Sequence, residues 1–511
     1  MSPLPLARAH QLCATLIPPC ISPPPCLRSA TLPPLSAIQA SELCPRRTPR
    51  APLRASGRRR ANAPRAQAAD GPDGGKAATG GEGGARSGGG VKRVVVLGGS
   101  GRVGRSTAVA LAALAASDDE ATRAGFTMEL VVSGRNRERG EAVCEEVRAA
   151  AGAAGSAAFA ACDVTDAAAL DSLLSGADLV VHCAGPFQRA PHCTVLEAAI
   201  RTKTPYIDVC DDVAYALTAR SLHDAAVAAA VPAITTTGIY PGLSNLMAAE
   251  LVRLGADERV RMEGEGDQQQ AAHGLQPKSL RFSYFTAGTG GAGPTILATS
   301  LHLLGEPATA FKDGQRLQLP AYSRQRLVDF GPGVGERSTY LLNLPEVVSA
   351  HEVLGVPTVS ARFGTAPHMW NWGMQLLRAL LPQSVLQDRA AVQRVAGLLE
   401  PMVRAADGAA GERVAIRVDL ETESGRSTTA LFSHRRLSVS VGVATAAFAV
   451  AVLEGSAMPG VHYPEQTEAI PLSQRERLLQ RATLGARFFA INKPGWMIER
   501  EPKQIGMGMY V

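Results

Sequence analysis

Val94-Val95-Val96-Leu97, followed at once by Gly98-Gly99-Ser100-Gly101-Arg102-Val103-Gly104, decides the fold of this 511-residue chain. Four successive apolar residues predict a strand buried on both faces, as in a parallel sheet. The glycine run predicts a tight turn, and Ser106–Leu114 continues as an apolar helical stretch. Gly99-x-Gly101-x-x-Gly104 has the spacing of a dinucleotide fingerprint, with Gly98-x-x-Gly101-x-x-Gly104 overlapping it. One glycine makes the turn, another lets backbone N–H groups approach a pyrophosphate, and Gly104 lets the helix pack close on the strand. The helix start adds the positive end of its dipole. Gly98, Gly99, Ser100, Gly101, Arg102, Val103 and Gly104 are therefore the predicted phosphate-side residues.

Working outward, Glu129–Ser133 predicts the second strand, ending where an adenosine ribose would lie. An NAD site places Asp or Glu there for the 2′-hydroxyl. This chain has Ser133-Gly134-Arg135-Asn136-Arg137 instead. A guanidinium pairs bidentately with a 2′-phosphate that a carboxylate would repel. Arg135 thus predicts NADP, with Ser133 or Asn136 assisting; stacking on adenine is its alternative role. A third strand, Ala157–Ala161, reaches Asp163 and Val164, a position for adenine-edge contacts. After it comes a helix, Ala167–Leu174, with Asp166 as its cap. Leu179–His182 is the fourth strand and leads into Cys183-Ala184-Gly185-Pro186, expected beside the nicotinamide ribose. Val231–Thr236 reads as the last strand of this sheet. The fold class is α/β: an N-terminal doubly wound parallel sheet plus a second α/β domain.

The chain carries 52 basic and 46 acidic residues, a net charge of +6. Residues 1–69 hold ten Arg, no Lys and one acid, Glu42; the other 42 basic and 45 acidic residues leave −3. The basic excess belongs to a leader, so composition supports no nucleic-acid partner, and no basic–aromatic interleaving supports one either. Arg-rich, acid-poor, Ser-containing composition predicts a transit peptide over 1–69. Proline runs at 18–19 and 23–25 forbid a long helix and favour a plastid address, with an unaddressed basic tail as the alternative. Residues 70–90 predict a Gly-rich flexible linker. Five cysteines follow the leader without a C-x-x-C pair, and the histidines lack ligand spacing, so no disulfide framework or metal site is expected. Val439–Leu453 is too short to span a bilayer. It predicts a core strand-to-helix segment, with a peripheral lipid contact as the alternative.

In the second half, Asp208, Asp211 and Asp212 precede a helical stretch, Val213–Ala230. At least one is expected as its N-cap, and Asp211 alternatively faces a substrate amine. Tyr240 has two readings, packing across a domain junction or donating a proton to a carbonyl or imine. Residues 263–277 predict an exposed insertion. Ala287–Thr295 is a second Gly-rich turn without a P-loop Lys. Arg413–Glu421 and Thr428–Ser433 predict a hairpin. Thr365–Leu381, with Trp370 and Trp372, predicts a hydrophobic cover.

The chain resembles the saccharopine dehydrogenase-like family of NADP-binding oxidoreductases, in its plant and cyanobacterial branch. The segments carrying the likeness begin with VVVLGGSGRVG (94–104), VVSGRN (131–136), HCAGPF (182–187) and YIDVCDD (206–212). They continue with GIYPGLSN (238–245), YFTAGTGGAGPT (284–295) and FAVAVLEGSAMPGVHYPEQ (448–466). The resemblance implies a Rossmann domain over 91–237, a substrate and dimerisation domain over 238–440, and a segment 441–511 packing back on the Rossmann domain. It implies hydride transfer to or from a C–N or C–O bond of a small molecule. Gly238-Ile239-Tyr240-Pro241-Gly242 is similar to a Gly-x-Asp-Pro-Gly turn of saccharopine reductases, with Tyr240 replacing the acid, and YIDVCDD departs from their Ser-Tyr pattern. The rival expectation is a non-catalytic NADP(H)-binding or lipid-body-associated member.

Overall fold

The computed structural model describes residues 90–263, 276–288 and 294–498. The leader, the linker, most of the 263–277 insertion and much of the 287–295 turn lie outside them. The first sheet opens with β1 (Val91–Leu97), α1 (Arg102–Ala115), β2 (Thr127–Gly134), α2 (Arg137–Ala151), β3 (Gly155–Ala161), α3 (Ala167–Leu174) and β4 (Leu179–His182). Next come α4 (Thr194–Thr202), β5 (Tyr206–Asp208), α5 (Val213–Ser221), α6 (His223–Ala228) and β6 (Pro232–Ile234). The stretch expected as one helix from Val213 is broken at Leu222 into α5 and α6.

The chain then builds a second sheet. It runs through α7 (Leu243–Glu263), β7 (Pro277–Ala287), α8 (Pro294–Leu304), β8 (Ala308–Lys312), β9 (Gln315–Leu319), β10 (Arg326–Asp329) and β11 (Glu336–Leu341). After those come α9 (Pro345–Leu354), β12 (Thr358–Ala366), α10 (Met369–Leu380), α11 (Gln383–Gln387), α12 (Arg389–Ala410), β13 (Arg413–Thr422) and β14 (Ser427–His434). α13 (Leu437–Leu453), β15 (Gly460–His462), α14 (Leu472–Ala482) and β16 (Phe488–Lys493) close the described chain.

The first sheet has seven strands in the order β15-β6-β5-β4-β1-β2-β3, each pair parallel. Val94–Leu97 and Leu179–Val181 are fully buried, as continuous apolar strands covered by helices on both faces require. β6 is not the edge. β15, from far along the chain, pairs parallel to it in register Val461 with Ala233. The second sheet is mixed: β12 runs parallel to β7, β13 pairs antiparallel to β7, and β14 completes the expected hairpin antiparallel to β13. β16 pairs with β14 on this second sheet, although its neighbours in sequence serve the first.

Val439–Leu453 carries no strand. The whole run is helical in α13, because Ala and Gly let it approach a second helix at backbone distance, and its side chains from Ala444 to Val452 are buried. Among the described residues no helix is long and apolar enough to cross a membrane. The 365–381 stretch lays Met374, Leu377 and Leu381 on the core and leaves a second apolar face outside. α10 turns Met369 (67% exposed) and Trp372 (64%) to solvent and buries Asn371, whose amide holds Thr365 and Tyr322.

Candidate functional site

The turn after β1 sits at the carboxyl edge of the first sheet. Gly99 N–H donates to Ser133 O at 2.8 Å and Gly101 N–H to Gly98 O at 2.9 Å, so the turn is tied to β2 and closed on itself. Gly98 has a φ of +76°, and a Cβ there would stand 2.7 Å from Ala184 N. A Cβ on Gly104 would meet Gly98 O at 2.3 Å. Gly98 is therefore required by contact as well as by conformation, and Gly104 by contact alone. Gly101 caps α1 with extended backbone and no side-chain cap, and Ser100, Arg102 and Val103 frame that helix start. The arrangement is a cradle for an anion at a helix N-terminus.

Arg135 follows β2 and is exposed, with no ion pair or hydrogen bond among the described residues. Its neighbours are otherwise engaged. Arg137 lies over the Phe159 ring at 5.4 Å and pairs with Glu141, and Asn136 accepts from Arg139 N–H as the cap of α2. Ser133 is fully buried. Asp163 accepts from the N–H and hydroxyl of Thr165, which, with the nearby Arg135, hold its carboxyl below the usual range. Val164 lends its carbonyl to Thr194 Oγ1 at 2.8 Å. Arg135 is thus an uncommitted cation at the ribose end among the described residues.

β4 delivers Cys183, Ala184, Gly185 and Pro186 to the middle of the same edge. Cys183 N–H donates to Leu97 O at 2.8 Å, locking this loop against the glycine turn. Burial pushes the Cys183 thiol up to about 12, which makes it a packing group beside Thr107, not a nucleophile. His182 is held down to about 3 by burial and stays neutral.

Asp208, Asp211 and Asp212 divide their work. Asp208 is fully buried and fully used: it accepts from Cys210 N–H, Thr236 N–H, the Tyr206 phenol and the Thr235 hydroxyl, stitching the ends of β5 and β6. Asp212 caps α5 by accepting from Tyr215 N–H at 2.7 Å. Asp211 caps nothing. Its Oδ1 accepts from Gln188 Nε2 at 2.7 Å, and Gln188 Oε1 accepts from Thr299 Oγ1 on α8 at 3.1 Å. Burial raises the Asp211 carboxyl, and no cation pairs with it among the described residues.

Tyr240 spans the two sheets. Its ring packs 4.9 Å from Tyr284 and 5.7 Å from Phe363, and its Oη shares a hydrogen bond of 2.8 Å with Thr286 Oγ1 of β7. Burial pushes the phenol up, so the junction contact is its evident role and proton donation is costly. Sequence reasoning missed three site groups. Gln188 was hidden inside a loop read for its glycine and proline. Glu346 was an isolated acid without a motif, and Glu465, inside the 448–466 segment, was given no role of its own.

The sequence profile of the saccharopine dehydrogenase NADP binding domain matches residues 94–234. Through this domain the chain is similar to the saccharopine dehydrogenase family. The match is to an NADP-binding domain, and the glycine cradle with its free Arg135 fits that cofactor. In fold, the chain is similar to the apo saccharopine dehydrogenase (L-Glu forming) from Saccharomyces cerevisiae. That likeness has a TM-score of 0.50 at 18% identity and covers 76% of this chain and 96% of that one. A short-chain type dehydrogenase/reductase from Mycobacterium ulcerans is 17% identical over 28% of this chain and 66% of its own, with a TM-score of 0.23. No curated protein matches the chain.

Proposed function

We propose that this saccharopine dehydrogenase-like protein is an NADP-dependent oxidoreductase that passes hydride to or from a C–N or C–O bond of a small plastid metabolite. The carrying observation is the glycine cradle packed against the Cys183–Pro186 loop at the carboxyl edge of the first sheet, with Gln188 on Asp211 following that loop and Tyr240 bonded to Thr286 of the second sheet. Ligands of open α/β sheets bind at the carboxyl ends of their strands.

The bound cofactor supplies hydride chemistry, and the protein supplies position and field. The α1 N-terminus takes the pyrophosphate and Arg135 takes the 2′-phosphate. Ala184 and Gly185 let the backbone pass close to the nicotinamide ribose. Asp211, held by Gln188, fixes a polar substrate group, and Tyr240 keeps the second sheet closed over the first. Substrate reduction of this kind needs positioning more than acid–base power. The departure at Tyr240 argues against saccharopine itself. The plastid address rests on the composition of residues 1–69.

Fluorescence titration with NADPH and NADH, followed by turnover on a panel of imines and carbonyls, tests this reading. Tight NADPH binding with turnover supports it; binding without turnover on any member would make the chain a non-catalytic NADP(H) binder.

A further inference from the structure

The second sheet has two faces, and one of them gathers arginines. Val359, Ala361 and Phe363 of β12 and Phe282 and Tyr284 of β7 lie on the inner face, where Tyr240 packs on Tyr284 and Phe363. The residues that alternate with them lie on the outer face. In the parallel register Ser360 stands opposite Arg281 and Arg362 opposite Ser283. Arg281 and Arg362 therefore share the outer face as diagonal neighbours, with Cα atoms about 8 Å apart. β11 meets β12 at Leu341 and Arg362, and β10 meets β11 at Arg326 and Thr339. That register brings Arg326 to the same face, two strands from Arg362. Arg324 stands two residues before it.

Little answers this charge. Arg281 pairs with Glu421. Asp419, opposite Arg281 on β13, is taken by Arg417 and the Thr429 hydroxyl. The side chains of Arg324 and Arg326 are exposed and make no hydrogen bond or ion pair among the described residues. Arg362 donates from Nη1 to Ser360 Oγ at 3.1 Å, while its buried Nε has no acceptor. Burial, with the like charges of Arg326, Arg281 and Arg324, pulls its guanidinium down to about 10.

Like charges crowded on a sheet face destabilise it, and a buried donor without an acceptor adds to the cost. An anion relieves both. A second copy of this face would bring the same cations and relieve neither. Guanidinium forks take two oxygens each, a geometry that phosphate meets. A phosphate group concentrates about −1.5 to −2 charges on one centre, so two linked phosphates match the three guanidiniums left without an acid, Arg324, Arg326 and Arg362. An extended acidic peptide spreads the same charge over a longer span.

We propose that the outer face of the second sheet binds a compact diphosphate across Arg324, Arg326 and Arg362, at a site separate from the glycine cradle. This assignment goes beyond the oxidoreductase reading and stands whether or not the chain turns over a substrate.

The test is calorimetric titration of the NADP⁺-loaded full chain with inorganic pyrophosphate at fixed ionic strength, the nucleotide keeping the cradle and Arg135 occupied. The expected result is pyrophosphate binding that falls at least tenfold in Arg326→Met and in Arg362→Met, and rises severalfold in Glu421→Gln, which frees Arg281. NADPH titration of each variant certifies that it is folded, and the exposed Arg326 keeps the test open if Arg362→Met is not. Absence of pyrophosphate binding, or unchanged affinity in Arg326→Met, overturns the proposal. Loss of pyrophosphate binding in Arg135→Ala overturns it by placing the anion in the cofactor site. Tighter binding of a hexaglutamate peptide than of pyrophosphate overturns it in favour of an acidic protein partner.

Discussion

Gly442 of α13 lies so close to Ser106 of α1 that a Cβ on it would stand 2.5 Å from the Ser106 carbonyl carbon. Backbone cannot rotate out of the way as a side chain can. Alanine at this helix position would gain about 1 kcal/mol in propensity, but overpacking costs about 1–3 kcal/mol. Gly442→Ala is therefore expected to be neutral to destabilising and Gly442→Val clearly destabilising. Urea unfolding checks this: the midpoint falls from Gly to Ala to Val, with an unchanged slope.

Arg135→Ala should lower NADPH affinity by about 10–100-fold, the loss of a charge-assisted contact worth about 1.5–3 kcal/mol. NADH affinity should stay within twofold, because NADH lacks the 2′-phosphate that Arg135 is placed to meet. Nucleotide fluorescence titration at fixed ionic strength separates the two. Equal losses for both nucleotides would give Arg135 a stacking role.

Glu346 carries a pH signature. Burial lifts its carboxyl to about 7 from an unfolded value near 4.5. Between those values the folded chain holds the proton that the unfolded chain releases, so stability falls as pH rises through this window. The loss is complete above about pH 7 and amounts to at most about 3 kcal/mol. Glu346→Gln, which has no charge to bury, should gain stability relative to the parent between pH 5 and pH 8. Thermal melts at the two pH values check it; a constant difference would place Glu346 in contact with water.

Tyr240→Phe removes the hydrogen bond to Thr286 while keeping the ring between Tyr284 and Phe363. A stability loss of about 1 kcal/mol is expected, with turnover within tenfold of the parent. A fall of about 10²–10⁴-fold in turnover would instead assign the phenol to proton transfer.

The nucleotide half was legible because its signals are local. A four-residue apolar strand, a glycine turn and a helix lie side by side in the chain, and Asp166 capping α3 follows the same logic. Distant pairings were hidden. Nothing about Gly460–His462 announces that it will extend a sheet begun at Val91, since a three-residue strand acquires meaning only from the neighbour it meets. The α13 run misled by composition: β-branched Val439, Val441 and Val443 favour a strand locally, yet packing on α1 holds them helical. α10 covers the core with Met374, Leu377 and Leu381, while its second apolar stripe at Met369, Trp372 and Leu376 faces outward. Gln188, Glu346 and Glu465 were invisible for the simplest reason: single polar residues have no pattern, and their surroundings are set only when distant segments meet.

The late return of the chain to its first sheet bears on how the protein is made. α1 leaves the ribosome long before α13, the helix that seals its apolar side, and before β15 and the Arg481 side chain that clasps the Thr122 and Arg123 carbonyls. Until Leu472–Ala482 has been synthesised, the nascent nucleotide half is an unfinished sheet with a greasy flank. A chain stopped before Gly460 would lack both the edge strand β15 and the Arg481 clasp on Thr122 and Arg123.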